Sequence, residues 1–173
     1  DKFGNLCMQF IPNAIDFNRW IRLPLVRSNS EVRLCWMGGA SHWGDLNILK
    51  SWLPKFMRQH RNCKLIIAGE AQAPWLRMEI DRKQLEFYPW VSSEAHPYRM
   101  ACLRIDIALI PLEENDFNSG KRPIKFCEWA ALGVPTLISP FTPYKQVVRD
   151  GITAMTFVTK DDFTSKLELL VKD

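Results

Sequence analysis

The sequence predicts a doubly wound α/β domain, a six-stranded parallel sheet with helices on both faces. Short apolar runs alternate with longer amphipathic stretches along all 173 residues. Several runs, such as Leu65-Ile66-Ile67-Ala68 and Ile107-Ala108-Leu109-Ile110, are almost continuously apolar, the pattern of strands covered on both faces. Strands separated by helices are parallel, because parallel neighbours need a crossover connection.

Taken in order, strands are expected at 33–37, 64–68, 85–88, 105–111, 134–139 and 154–158. After the first, Asp45 is placed to cap a helix carrying Leu46, Leu49, Leu53, Phe56 and Met57 along one side. Pro54 predicts a kink or restart within it. Pro123 opens the helix before the fifth strand, and Gly133 followed by Pro135 closes it. Thr142-Pro143 is expected to open another helix that Gly151 ends. A last helix begins near Asp161 and sets Phe163, Leu167, Leu170 and Val171 at helical spacing. In a Rossmann-like strand order 3-2-1-4-5-6, the topological switch point falls between the first and fourth strands. A ligand then belongs among the loops after Met37, Ala68, Pro111 and Ser139.

Composition bounds the function. A hydrophobic fraction of 47% and a charged fraction of 24% are ordinary for a globular domain. The net charge of +4 is spread along the chain, without the basic stripe that nucleic acid requires. No apolar run is long enough for a membrane span. The chain starts at Asp1, with no initiator Met and no signal peptide, so it is expected to be part of a longer protein. Five cysteines, Cys7, Cys35, Cys63, Cys102 and Cys127, form no CxxC pair. They read as small hydrophobes in a reducing compartment, which predicts a cytoplasmic protein.

The most informative segment runs from Asn118 to Glu128. Lys121, Arg122 and Lys125 are expected in the first two turns of a helix, where the dipole makes each cation unfavourable by about 0.3–1 kcal/mol. Lys121 and Lys125, four apart, also repel. An anion bound there removes both costs, and backbone N–H groups near Gly120 would help cradle a phosphate or diphosphate. Glu128, one turn beyond Lys125, can accept two ribose hydroxyls; the plainer alternative is a surface pair with Lys125. His42, in the loop after the first strand, is either a phosphate or sugar contact or a partner of Asp45. His60 and His96 read as helix-terminus residues. Glu113, Glu114 and Asp116 lack the spacing of a magnesium site and read as a solvated loop, so no metal is expected. No Ser/His/Asp arrangement is visible, and no catalytic residue is assigned.

The same segment resembles the donor-binding signature of the retaining family 4 (group 1) glycosyltransferases of GT-B fold. The match includes Glu128, Ala131-Leu132-Gly133-Val134-Pro135 and the strand Thr136-Leu137-Ile138-Ser139. Three further stretches are similar to family motifs in the same order: Ile11-Pro12-Asn13-Ala14-Ile15-Asp16, Asp106 to Pro111, and Arg149-Asp150-Gly151. The resemblance implies that residues 1–20 lead in from an amino-terminal domain and 21–173 form the nucleotide-sugar-binding domain. It implies that Glu128 binds the ribose and Lys121 or Lys125 the diphosphate. Asn118-Ser119-Gly120 would face the donor sugar, Gly38-Gly39 would admit phosphates close to the backbone, and Trp90 would lie by the nucleobase. The donor, a nucleoside-diphosphate sugar such as a UDP-sugar, is a substrate, and no cofactor is implied. The acceptor, a sugar or lipid-linked glycan of polysaccharide biosynthesis, would be held by the other domain, which leaves peripheral membrane association open.

Two departures stand out. Gly120 occupies the position where the family commonly has a second Glu, and Ala40-Ser41-His42-Trp43-Gly44-Asp45 replaces the usual Arg and Lys after the first strand. A dinucleotide-dependent oxidoreductase would need a G-x-G-x-x-G after the first strand, and Gly38-Gly39-Ala40-Ser41-His42-Trp43 does not supply it. A non-catalytic nucleotide-binding or scaffold module is the remaining alternative, favoured by Gly120.

Overall fold

A computed structural model describes residues 13–20, 31–69 and 77–172. Cys7, Ile11, Pro12 and most of the loop after Ala68 lie outside the described residues. Six strands form one all-parallel sheet: β1 (Val32–Gly38), β2 (Cys63–Gly69), β3 (Leu85–Tyr88), β4 (Ile107–Ile110), β5 (Thr136–Ile138) and β6 (Met155–Thr156). Their order is β3-β2-β1-β4-β5-β6, as the sequence predicts. The register pairs Gly38 with Gly69, Ala68 with Tyr88, and Ile110 with Ile138. The carboxyl ends of the strands therefore finish on one edge.

Side chains alternate across the sheet. Leu34, Trp36, Leu65, Ile67 and Leu109 face α1 (Trp43–Gln59) and the carboxy-terminal helix; Cys35, Met37, Ile66, Ala108 and Ile110 pack on the opposite side. Among the described residues the α-helices are α1, α2 (His96–Cys102), the single turn α3 (Asp116–Ser119), α4 (Ile124–Leu132) and α5 (Lys160–Lys172). Leu49, Leu53 and Phe56 of α1 join Phe163 and Leu167 of α5 on the first face; Met100 of α2 and Phe126 and Trp129 of α4 fill the second. Each such side chain contributes about 1.5–3 kcal/mol by leaving water.

Several expectations are corrected. The helix does not restart at Pro54: α1 runs through it with Pro54 buried, since burial of the face that includes Leu53, Phe56 and Met57 outweighs the lost backbone bond. Asp45 is the third residue of that helix, and His42 occupies the cap position. Thr142-Pro143 leads into a 3-10 turn at Tyr144–Gln146 with no α-helix behind it. The last three strands are shorter than predicted, because apolar flanks such as Ile105 and Val134 are buried outside the paired segments. Lys121 and Arg122 precede α4, so only Lys125 of the three cations lies in its first turn.

Polar groups pin the sheet at its other edge. The Arg33 N–H donates to Asp106 Oδ2 at 2.8 Å, and the Asp106 N–H donates to the Arg33 carbonyl, joining β1 to the start of β4. The buried Gln84 Nε2 shares its two hydrogens among the carbonyls of Met57, His60 and Cys63, which ties the carboxyl end of α1 to the start of β2.

Gly69 ends β2 at φ 126°, and a Cβ there would collide with the Gly38 carbonyl oxygen. Gly133 closes α4 at φ 71° with open space around it. Gly69→Ala is expected to destabilise the domain by more than about 3 kcal/mol and Gly133→Ala by about 1–2 kcal/mol. Urea denaturation of the two variants tests this; equal losses would contradict the packing reason given for Gly69.

Candidate functional site

A cleft of about 760 Å³ opens at the switch point, over the carboxyl ends of β1 and β4. It is built from the carboxylate of Asp45 outward. Strand β1 ends at Gly38, a 3-10 turn spans Ala40–His42, and α1 follows directly. An acidic residue in the first turn of a helix is favoured by the dipole, but Asp45 does more, because only 2% of it is exposed. Its Oδ2 lies 2.7 Å from His42 Nδ1, and its Oδ1 accepts from the Glu113 N–H and the Asn118 Nδ2, both at 2.9 Å. Lys121 Nζ stands 3.6 Å from Oδ2. Burial pushes the Asp45 carboxyl up, but the bonds from His42 and Glu113 and the charge of Lys121 together bring it below its ordinary value.

These contacts explain the local course of the chain. Asn115 caps α3 by accepting from the Asn118 N–H at 2.8 Å, while Asn118 also donates to the Glu113 carbonyl at 2.7 Å. Asn118 is thus buried, and its amide faces Asp45. The chain then turns through Gly120, Lys121 and Arg122, which line the cleft, and enters α4 at Ile124 behind Pro123. Arg122 donates to the carbonyls of Gly120 and Lys121, holding that turn.

Lys125 projects from the first turn of α4 and lies 5.8 Å from the centre of the Trp36 ring. Burial is the main influence on its amine and, with Lys121 nearby, lowers it to about 8. Glu128, one turn further on, is buried, with Oε1 3.4 Å from His96 Nε2. His96 opens α2 and meets the Trp20 ring edge-on at 5.8 Å. Burial raises the phenol of Tyr144, which closes the floor of the cleft.

Of the residues singled out from sequence, the structure brings His42, Trp90, Gly120, Lys121, Lys125 and Glu128 into the cleft. It does not bring Gly38, Gly39, Asn118 or Ser119 to the lining. The space a Cβ would need at Gly38 is filled by the Trp36 indole, and Gly39 lies against Trp90. Ser119 donates to the Asn115 carbonyl on an exposed turn. Trp90 is 45% exposed. Glu128 meets His96 where a surface pair with Lys125 was the plainer expectation.

Asn13 to Asp16, Arg19, Trp20, His96 and Tyr144 also line the cleft and were not anticipated. Asp16 caps a 3-10 turn at Phe17–Arg19, and Arg19 donates to the Ser93 carbonyl at 3.0 Å, docking this segment beside α2. The sequence signal nearest to them was the Ile11–Asp16 motif, read as part of a lead-in segment and not as cleft lining. Arg19, Lys121, Arg122 and Lys125 outnumber Asp16 and Glu128 around the cavity, so its field favours an anion. Among the described residues, no group of three His, Cys, Asp or Glu is placed to hold a metal, and no helix is long and apolar enough to cross a membrane.

The model of the family described as "Glycosyl transferases group 1" matches residues 31–173. No curated protein sequence matches. Among solved structures, the chain is similar to Alr3699/HepE of Anabaena in complex with UDP and glucose, at 14% identity and a TM-score of 0.68, covering 93% of this chain and 46% of that one. It is similar to the lipopolysaccharide outer core galactosyltransferase WaaB in its apo form, at 16% identity and 0.63, covering 83% and 41%. The carboxy-terminal domain of the group 1 protein LpcC from Francisella tularensis aligns at 12% identity and 0.64, covering 92% and 89%. The chain therefore spans less than half the length of the first two and nearly all of the third. At these identities the likeness shows the fold.

Because the buried Lys125 amine sits below its ordinary value, its cost to folding is complete below pH 8 and fades as pH rises from about 8 towards 10.5. Lys125→Met is expected to stabilise the domain at pH 7 by about 1–3 kcal/mol, with the gain shrinking across that window. Urea unfolding at pH 7 and pH 10 checks it; a destabilised variant at pH 7 would show that the amine is well compensated.

Proposed function

The chain belongs to the group 1 glycosyl transferases, and on that premise we propose that its cleft binds the nucleoside-diphosphate sugar donor. The observation that carries this reading is one arrangement. Lys121 and Lys125 line the switch-point cleft together, and the buried carboxylate of Glu128 lies one helical turn beyond Lys125. A desolvated amine held at about 8 is costly to keep in a fold, and an anionic ligand offsets that cost.

In this reading Lys121, Lys125 and Arg122 neutralise the diphosphate, so leaving-group stabilisation needs no metal. Glu128, held on one oxygen by His96, offers the other to the ribose hydroxyls. Trp90, exposed beside Gly39, offers a ring face to the nucleobase. His42 touches the phosphates. Gly38 and Gly39 act at one remove, by admitting the Trp36 and Trp90 rings. Asn118 acts through Asp45, while Ser119 and Gly120 lie at the sugar end. The transfer itself is retaining, as the family resemblance implies. Acceptor binding then falls to a second domain of a cytoplasmic, peripherally membrane-associated protein, for which residues 1–20 are the lead-in and 21–173 the donor domain. The chain by itself binds donor without turnover.

A second reading, a nucleotide-binding module without activity, is favoured by Gly120, which lines the cleft and brings no side chain where the family has a carboxylate. Activity of the full-length protein against a panel of sugar donors separates the two.

Calorimetric titration with UDP, GDP, ADP, CMP and NAD is expected to find a nucleoside diphosphate bound more tightly than about 1 mM. Glu128→Ala and Lys125→Ala should each weaken it by about 1.5–3 kcal/mol. Lys125 must be charged to hold phosphate, so affinity should be retained at neutral pH and fall as pH rises through about 8. Binding indifferent to both substitutions would refute the site.

A further inference from the structure

The donor-binding reading is the basis of this inference, which deepens it at His42. The Nδ1 edge of the ring lies 2.7 Å from Asp45 Oδ2 and 3.2 Å from Lys121 Nζ. An ionised carboxylate at 2.7 Å requires a hydrogen on the facing nitrogen, so Nδ1 donates to Asp45, Lys121 Nζ stands beside that nitrogen as a charge and not as its donor, and the neutral ring keeps its lone pair at Nε2. Among the described residues no hydrogen bond engages Nε2, and the ring lines the cleft. A lone pair there and a phosphate oxygen are two acceptors facing each other, and one proton removes the mismatch.

We propose that His42 takes up a proton at Nε2 when a diphosphate enters the cleft, becoming a hydrogen-bond donor to a phosphate oxygen, and returns it to solvent when the diphosphate leaves. Asp45 is the positioning residue: it fixes the Nδ1–H and stabilises the imidazolium once formed. The charged groups acting on the ring are Asp45 from α1, Lys121 from the turn before α4, and Lys125 from α4 itself. The Asp45 bond is the largest influence and raises the imidazole, but burial with the charges of Lys125 and Lys121 holds it below its ordinary value in the free protein. A bound diphosphate cancels those two positive charges and leaves the Asp45 bond in place. The bound ring is therefore more basic than the free one, and ligand entry draws a proton from solvent.

The test is calorimetry of this chain with UDP-glucose, ADP-glucose and GDP-mannose at pH 6.5, in buffers of differing ionisation enthalpy. The diphosphate of a nucleotide sugar is esterified at both ends and does not titrate near neutrality, and Lys125, at about 8, is already charged. Uptake then reports on histidine. About half a proton or more should be taken up per nucleotide sugar bound. In His42→Gln that uptake should fall close to zero, with binding weakened about three- to tenfold. Imidazole ¹⁵N NMR distinguishes His42 from His96: His42 should carry hydrogen on Nδ1 alone in the free chain and on both nitrogens in the complex. Binding without uptake, uptake undiminished in His42→Gln, or a bound His42 with a bare Nε2 would overturn the proposal. Failure of all three nucleotide sugars to bind would overturn the donor reading, and this proposal with it.

Discussion

The crevice depends on one buried carboxylate. Asp45 Oδ1 draws in the Glu113 N–H and the Asn118 amide, so the loop after β4 is fastened to the first turn of α1. Its Oδ2 holds His42 and lies near Lys121, so the same side chain orients an imidazole and a cation at the mouth of the cleft. Three hydrogen-bond donors and one nearby cation converge on two oxygens, which makes full burial tolerable for a charge whose isolated transfer from water would be prohibitive. Breaking such a set leaves buried donors without acceptors, at a cost of about 3–5 kcal/mol.

Around that clasp, the site is arranged against the interests of folding. Lys125 is kept partly out of water beside Trp36 and near Lys121, so that its amine falls to about 8. Glu128 is buried with the His96 imidazole at 3.4 Å and within reach of the Lys125 charge. The Lys125 arrangement costs the free domain stability, and the proposed donor, an anion bearing hydroxyl groups, would offset that cost. Local rules fail here in the direction that the proposed anionic ligand would correct. The two hydrophobic faces, by contrast, contain no such conflicts. Apolar side chains alternate across β1, β2 and β4 with helices on either side, and the rigid sheet gives the charged loops a fixed base.

Much of the fold was legible before any coordinates. Continuous apolar runs at Leu65–Ala68 and Ile107–Ile110 required a sheet covered on both faces, and Gly133 with Pro135 marked the end of α4 correctly. Pro54 misled, because the loss of one backbone bond is visible in sequence while the burial that overrides it is not. The start of α4 was read a few residues early, since Lys121 and Arg122 belong to a turn organised by Asn118 and Asp45, 73 residues apart in the chain. His96 looked like a terminus residue and is one, but its contact with Glu128 joins elements that no local pattern connects.

The sequence by itself determined the periodicities, the breakers and the ordering of motifs, and those are enough to specify a parallel doubly wound sheet and the group 1 signature around Glu128. These properties are local, since each depends on residues a few positions apart. Only the tertiary structure decided which polar groups meet: Asp45 with Asn118 and His42, His96 with Glu128, and Arg19 with the loop before α2. The pairing of buried charges depends on distance and desolvation in three dimensions, and neither quantity is encoded in the spacing of residues along a chain. Asp45, read as a helix cap from its place in the sequence, became the centre of the site because two loops fold back onto it.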